Sequence, residues 1–255
     1  MTPANDDVPS GRATDRGNAA APAEVGAMFD RIARLYDPMN LVISAFQEPR
    51  WRKRAVGLTR AKAGDRVLDV ATGTGKVAAD LHARVQPGGR VLGVDISAGM
   101  IGVAKKRFGD RPGLDFVIGD ALALPTEDDS FDAATIAFGM RNLPDYHGGF
   151  AELVRSVRPG GKVVCLEIAR PRSLAARALQ FWFDRIVPVI GRLAGQGGAY
   201  GYLVRSVKGY PAPERIAEIM REAGLVNVTW HGMSFGIVTL HVGTVPDRGP
   251  GGARE

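Results

Sequence analysis

The stretch Arg66-Val67-Leu68-Asp69-Val70-Ala71-Thr72-Gly73-Thr74-Gly75 decides the fold. Its first five residues form a short apolar run that ends beside an acid. The next five are small and glycine-rich, and KVAADLHARV (76–85) then reads as a helix closed by Pro87-Gly88-Gly89. A strand, a glycine loop and a helix in that order are the context in which a nucleotide-bearing ligand is held. Glycine lets the backbone approach such a ligand where a Cβ would collide. The helix that follows offers free N–H groups and a partial positive end.

The same alternation continues outward from this stretch. RVLGVD (90–95) is a second strand, SAGMIGVAKKRF (97–108) a second helix with Ser97 as its cap, LDFVIGD (114–120) a third strand and FDAATIAF (131–138) a fourth. YHGGFAELVRSV (146–157) is helical, Arg158-Pro159-Gly160-Gly161 turns, and KVVCLEIA (162–169) is the fifth strand. APERIAEIMREAG (212–224) is a further helix, and two strands near 225–231 and 235–243 share a short link. Helices of this length between strands imply parallel crossovers, and the short last link implies an antiparallel hairpin at the sheet edge. The expected fold is α/β, with a seven-stranded, mostly parallel sheet flanked by helices.

Composition sets the outer bounds. Of 255 residues, 45% are apolar and 24% charged, which suits one large α/β domain and is too apolar for a disordered chain. Residues 1–25 lack periodicity and read as a disordered tail, 26–245 as the domain and 246–255 as a loose end. Within the domain, 26–60 forms a helical cap and 172–210 a helical insertion. The tail carries −2 and the final ten residues are neutral, so the +6 chain leaves +8 on the body. That excess fits an anionic surface or ligand, and equally plain solubility. One cysteine, Cys165, excludes a disulfide framework and reads as an inert core thiol. Four scattered histidines give no ligand spacing, so no metal is expected. The N-terminus has no apolar core for a signal peptide, and no run approaches the ~20 apolar residues of a membrane span. A cytoplasmic chain is expected.

Acids close three successive strands: Asp69, Asp95 and Asp120. Asp95, 20 residues after Gly75, stands where a carboxylate can accept from both ribose hydroxyls. Asp120-Ala121 stands where an adenine edge could be met. Both NAD and S-adenosylmethionine fit this geometry, and Gly73-x-Gly75-x-x-Ala78 is a degenerate dinucleotide fingerprint. Three features favour the methyl donor. Asp69 can orient the loop around a zwitterionic amino acid. Asp95-Ile96-Ser97-Ala98-Gly99-Met100 resembles the second motif of class I methyltransferases. Gly119-Asp120-Ala121 with Leu124-Pro125 resembles their third. The chain is thus expected to be Rossmann-like, of the class I methyltransferase type.

Four further blocks carry a more specific resemblance, across about residues 28–243. Tyr36-Asp37-Pro38-Met39-Asn40 with Ser44 and Trp51 looks like the N-terminal signature of the ubiquinone/menaquinone biosynthesis C-methyltransferases. Phe138-Gly139-Met140-Arg141-Asn142-Leu143 resembles that family's Phe-Gly-x-Arg-Asn block. The run from Arg155 through Pro159-Gly160-Gly161 to Glu167 resembles its second signature. Tyr200 to Tyr202-Leu203, Ser206, Val207 and Tyr210-Pro211 resemble its late block. The resemblance implies methyl transfer from S-adenosylmethionine to a ring carbon of a polyprenylated quinol, demethylmenaquinol before the benzoquinol precursor of ubiquinone. It maps cofactor contacts to Thr74, Asp95, Asp120 and Ala121. With the loop and motif residues, the expected cofactor set is Asp69, Thr72, Gly73, Thr74, Gly75, Asp95, Ile96, Met100, Asp120, Ala121 and Ala137. The chain departs from the family at Glu48 (usually His), Ala137 (usually Ser), Val204-Arg205 (usually Pro-acid) and Ala169 (usually Ser).

On the substrate side the candidates are Arg141, Asn142, Tyr36 and Tyr202. Arg141 follows the fourth strand, on the edge where α/β sheets bind ligands. A guanidinium there could stabilise a phenolate or order a water, though it is no base itself. Its structural alternative is a pair with Asp145, and that of Asn142 is a turn cap. Tyr36 and Tyr202 could cover the site or simply fill the core. Glu48 could act as a base or be a surface carboxylate.

Between Ser173 and Leu193, Leu179, Trp182, Phe183, Ile186, Val189, Ile190 and Leu193 share one helical arc opposite Arg177, Asp184, Arg185 and Arg192, with Phe181 an exception on the polar side and a kink at Pro188. Such a helix suits an anionic membrane, a lid over the substrate, or a homodimer face. Transient membrane contact through this insertion and the N-terminal helices is the expectation. The alternatives are a methyltransferase for another aromatic or polyketide, and a non-catalytic cofactor- or quinone-binding subunit. Nucleic acid is not an expected partner, because Phe138-Gly139-Met140-Arg141 stands where an Asn/Asp-Pro-Pro-Tyr-like block would be.

Overall fold

In a computed structural model of the chain, which describes residues 21–169, 185 and 197–247, the core is a seven-stranded sheet. The expected tail up to residue 20, most of the insertion and the end beyond 247 lie outside the described residues. Strands β1 (Arg66–Val70), β2 (Arg90–Asp95), β3 (Leu114–Ile118), β4 (Phe131–Ala137), β5 (Val157–Ile168), β6 (Val226–Met233) and β7 (Val238–Thr244) lie in the order β3-β2-β1-β4-β5-β7-β6. The first five pair in parallel. β7 runs antiparallel between β5 and β6, so the final hairpin closes one edge as its short link requires.

Helices cover both faces. They are α1 (Pro22–Ile32), α2 (Tyr36–Ile43), α3 (Glu48–Leu58), α4 (Lys76–Val85), α5 (Ala98–Phe108), α6 (Tyr146–Ser156), α7 (Gly197–Gly209) and α8 (Pro213–Glu222). β1 shows why two layers form. Val67 packs with Leu81, Val85 and Ile101 of α4 and α5, while Leu68 and Val70 pack with Phe150 of α6 and Ile216 of α8. Alternation of side chains across the strand thus feeds a core on each side. Ser97 caps α5, its Oγ accepting from Met100 N at 3.1 Å.

The two largest boundary differences from the sequence reading are in α1 and β5. α1 begins at Pro22, so residues 22–25 of the expected tail are helical, and Val25 is buried. Pro at a first helical position costs no hydrogen bond, and that signal outweighs the Ala/Pro composition. β5 begins at Val157 rather than 162. Its register against β4 jumps from Phe131↔Val157 to Ala133↔Lys162, so the Pro159-Gly160-Gly161 turn is an excursion within the strand.

Candidate functional site

The parallel strands all point their carboxyl ends at one edge. The reversal of strand order falls at β1, between β2 and β4, where a crevice must open. A cleft lies there in two joined halves. One, near β2 and β3, is lined by Gly73, Asp95, Ile96, Met100, Asp120, Ala121, Ala137 and Asn142, and roofed by Pro22, Val25, Phe29 and Tyr36. The other encloses about 1120 Å³ of empty space open to solvent, lined by Met28, Ile32, Thr72, Thr74, Glu48, Trp51, Arg141, Ile168, Tyr202 and Leu203, among others. Phe29, Tyr36, Ala71, Gly73, Ala137 and Phe138 face both halves.

The loop is held in shape from behind. Asp69 is buried and does not line the cleft; its carboxylate accepts from Thr72 Oγ1 and Thr135 Oγ1, each at 2.6 Å. Burial, with Asp95 nearby, pushes its carboxyl up to about 6 against those two hydrogen bonds. Gly75 also stands behind the loop. Its φ is +82°, and a Cβ there would lie 2.9 Å from the Phe116 ring. Gly73, at φ +56°, instead has open space beside it, with Tyr36 Cε1 at 4.0 Å from an added Cβ. Asp95 accepts from Gly73 N (2.8 Å) and Ser97 N (2.9 Å). Burial and Asp30 raise its carboxyl above the ordinary range despite those bonds. A carboxylate has about four acceptor positions, so Asp95, which lines the cleft, keeps capacity for a ligand hydroxyl. Asp95, Asp120 and Gly73 line the half near β2 and β3 together with Ile96, Met100 and Ala121, a mix of acceptors and apolar surface that fits a nucleoside with an amino-acid arm. The hydroxyl absent at Ala137 leaves that side of the cleft apolar.

Arg141 occupies a short 3₁₀ turn (Met140–Asn142) after β4 and is buried. It does not pair with Asp145, whose carboxylate caps α6 by accepting from Gly148 N. Its partner is Glu167, 26 residues on and fully buried near the end of β5. Arg141 Nη1 donates to Glu167 Oε1 at 2.7 Å and Arg141 N to Oε2 at 3.1 Å, while Ile168 N also donates to Oε1. Burial opposes the guanidinium charge, but Glu167 outweighs it and holds the group charged. Arg141 Nε has no hydrogen-bond partner. Tyr36 is pushed above the usual phenol range by burial, with Arg141 pulling the other way. Tyr202 OH donates to Asn142 Oδ1 at 3.2 Å, tying α7 to the same turn.

Three residues that brace the candidate site escaped the sequence reading of single positions. Glu167 was visible only as the end of a family block. Asp37, at the start of α2, accepts from Thr74 Oγ1 at 2.8 Å and pairs with Arg107 and Lys76. Asp30 accepts from Ser97 Oγ (2.5 Å) and Gly99 N (2.7 Å). Asp37 is a buried acid in the first turn of α2, Asp30 an exposed acid in the last turn of α1 and Glu167 a buried acid within β5, so no shared local pattern marks them. Glu48 lines the cleft and pairs with Arg52 at 2.6 Å, which also binds Asp80. Among the described residues no cluster of three metal-ligating side chains occurs.

Comparison with known proteins now decides the family. Residues 17–245 match the ubiE/COQ5 methyltransferase family. The chain belongs to the ubiE/COQ5 methyltransferase family.

It is accordingly an S-adenosylmethionine-dependent methyltransferase. The demethylmenaquinone methyltransferase of Thermus thermophilus is 43% identical over 223 residues, covering 86% of this chain and all of that one. The ubiquinone/menaquinone biosynthesis C-methyltransferase UbiE of Geobacter sulfurreducens is 39% identical over 236 residues, covering 91% and 90%. Among solved structures, the [4+2]-cyclase SpnF superposes with a TM-score of 0.67 at 17% identity, covering 91% of this chain and 98% of that one. A SAM-dependent methyltransferase from Thermotoga maritima gives 0.61 at 20%, covering 86% and 98%. These two share the fold of this ubiE/COQ5 member; reaction type comes from the site.

Proposed function

We propose that this methyltransferase C-methylates a polyprenylated quinol, demethylmenaquinol in preference to the benzoquinol precursor of ubiquinone. The relatives named for demethylmenaquinone support the ring choice. The observation that carries the reading is Arg141: a buried cation fixed by Glu167, lining an apolar half-cleft that joins the cofactor half. S-adenosylmethionine, when bound, supplies an electrophilic methyl group on a sulfonium.

Gly73, Asp95, Ile96, Met100, Asp120, Ala121 and Ala137 would hold the donor, with Thr72 and Thr74 flanking Gly73 on the side of the other half and Asp69 and Gly75 shaping the loop behind. A phenol of pKa ~10 is mostly protonated at neutral pH, so its ring carbon needs help to become nucleophilic. Arg141 stabilises the phenolate oxygen as charge develops, in a site where burial strengthens that interaction. It does not take the proton, because Glu167 keeps it charged; a water ordered by the guanidinium accepts the phenol proton. Once the ring carbon has taken the methyl group from sulfur, that carbon's own proton is lost to water as the ring regains aromaticity. Asn142 and Tyr202 orient the ring oxygens, and Tyr36 closes the junction. Holding carbon and methyl in line supplies the remaining acceleration. Because the polyprenyl tail resides in a bilayer, the reading includes transient contact with the cytoplasmic membrane surface. No described helix is long and apolar enough to cross it.

The test is transfer of labelled methyl from S-adenosylmethionine to chemically reduced demethylmenaquinol in detergent, with Asp95→Ala and Arg141→Lys beside the unmodified protein. Ring-methylated product from the unmodified protein, none from Asp95→Ala and little from Arg141→Lys is expected. Intact cofactor binding with no product from any quinol would overturn the substrate.

A further inference from the structure

Two aromatic side chains stand in water at the mouth of the apolar half-cleft. Phe46, between α2 and α3, is 64% exposed, and Phe235, between β6 and β7, is 72% exposed. Each occupies a left-handed backbone position, with φ of +64° and +61°. For a bulky residue that conformation is uncommon and costs free energy. Neither side chain lines the cleft, yet their neighbours do: Ser44 and Glu48 on one side, Ile237 and Val238 on the other. A hydrogen bond from Trp51 Nε1 to Ser234 Oγ at 2.9 Å joins the two segments into one rim. Val42, on the last turn of α2, adds 40% exposed apolar surface at the same end.

The charge on the α3 side of this rim is predominantly positive. Residues 41–62 hold six bases and one acid. The acid, Glu48, is engaged by Arg52. Arg50, Lys53 and Arg54 are exposed on the face of α3 opposite buried Trp51, Ala55 and Val56. Residues 226–245, which carry Phe235, contain no acid at all. Exposed aromatics flanked by bases complement an anionic lipid surface, where rings enter the headgroup layer and cations meet lipid phosphates.

We propose that Phe46 and Phe235, with Arg50, Lys53 and Arg54, form the surface that docks the enzyme on an anionic bilayer and turns the apolar half-cleft toward it. This rests on the quinol reading only for its purpose. The sequence pointed to the 173–193 helix and the N-terminal helices for membrane contact; the rim adds the β6–β7 loop, which no periodicity marks.

The experiment is co-sedimentation of the full chain with vesicles of phosphatidylglycerol and phosphatidylcholine, against phosphatidylcholine alone, at low and high salt. The unmodified protein should bind the anionic vesicles in a salt-sensitive way. Phe46→Ser and Phe235→Ser should each weaken binding about ten-fold, in line with the loss of a buried aromatic side chain. Arg50→Glu with Arg54→Glu should remove the preference for anionic lipid. Turnover of detergent-presented quinol should stay unchanged in the Phe46→Ser, Phe235→Ser double variant, while the apparent KM for vesicle-borne quinol rises. Absence of vesicle binding by the unmodified protein, or binding unchanged in the double variant, overturns the proposal. So does a lowered unfolding temperature of that variant with new protease cleavage at 170–196, which would mean the chain's own segment covers the rim. Vesicle binding lost as expected, with no quinol methylated in detergent, supports the surface and removes the quinol reading.

Discussion

Asp69 and His241 are both buried in the sheet and titrate in opposite senses. Burial pushes the Asp69 carboxyl up to about 6, from an ordinary 3.8, so the fold penalises its charged form. The stability it contributes is complete below pH 3.8 and is lost as pH rises through 6, worth about 3 kcal/mol. His241 donates Nε2–H to Pro213 O at 2.9 Å, while its Nδ1 has no partner. Burial lowers its imidazole to about 4, from 6.5. Its contribution is complete above pH 6.5 and is lost as pH falls through 4, again about 3 kcal/mol. The two slopes oppose one another in the unmodified protein. Asp69→Asn should therefore show unfolding free energy rising with pH between 4 and 6.5, by about 3 kcal/mol relative to the unmodified chain. His241→Gln should show the reverse relative slope. Denaturant titrations at each half pH unit measure both. A difference that is constant with pH would show that neither group titrates as its burial demands.

At the scale of elements, the N-terminal cap is latched to the cofactor loop by carboxylates. Asp37 of α2 is buried and meets donors from the loop (Thr74), α4 (Lys76) and α5 (Arg107). Burial raises the Asp37 carboxyl, but Arg107, Thr74 and Lys76 outweigh it and hold the group below the ordinary range. Asp30 ties α1 to the start of α5 in the same manner. Asp37→Ala strips three donors of their acceptor while leaving the two bases partly in water, a cost of about 1–3 kcal/mol. Amide exchange across 36–43 should quicken and the Kd for S-adenosylmethionine should rise about ten-fold, since Tyr36 faces both halves of the cleft. Unchanged exchange would mean α2 is held by packing alone. This latch also marks the limit of the sequence reading. The strands, the glycine loop and the acids at strand ends are local patterns, and β1, β2 and α4 lie where the pattern put them. Arg141 was legible as a position but not in its partnership: the nearby Asp145 caps a helix, and Glu167 arrives through strand pairing. The contact of α2 with the loop spans 37 residues and those of α1 and α2 with α5 span up to 70, and they carry no period. Asp69 was legible as a loop-orienting acid, though no spacing could show that it lies behind the loop rather than in the cleft.

For the whole molecule, the cleft is where otherwise separate parts meet. The cofactor half takes its floor from β1 to β4 and its roof from α1 and α2, while the other half borrows Tyr202 and Leu203 from α7 and Ile237 and Val238 from the end hairpin. A ligand in the cofactor half thus contacts both the sheet and the cap, and binds the folded chain only. Ligand at 100 times its Kd stabilises such a fold by about 2.7 kcal/mol. For a domain of this size that corresponds to a rise in Tm of about 5–10 °C. S-adenosylmethionine and S-adenosylhomocysteine should both produce it, because in the proposed arrangement Asp95, Asp120 and the loop hold the nucleoside and amino-acid arm, which the two ligands share. NAD should not, although the glycine spacing alone permits it. Asp95→Ala should lose the shift while keeping its own transition cooperative, since Asp95 faces the cleft. Arg141→Lys should keep the shift and lose turnover, because Arg141 belongs to the other half. Scanning calorimetry of the three proteins with each ligand separates cofactor binding from chemistry. A shift with NAD equal to that with S-adenosylmethionine would contradict the assignment of the loop.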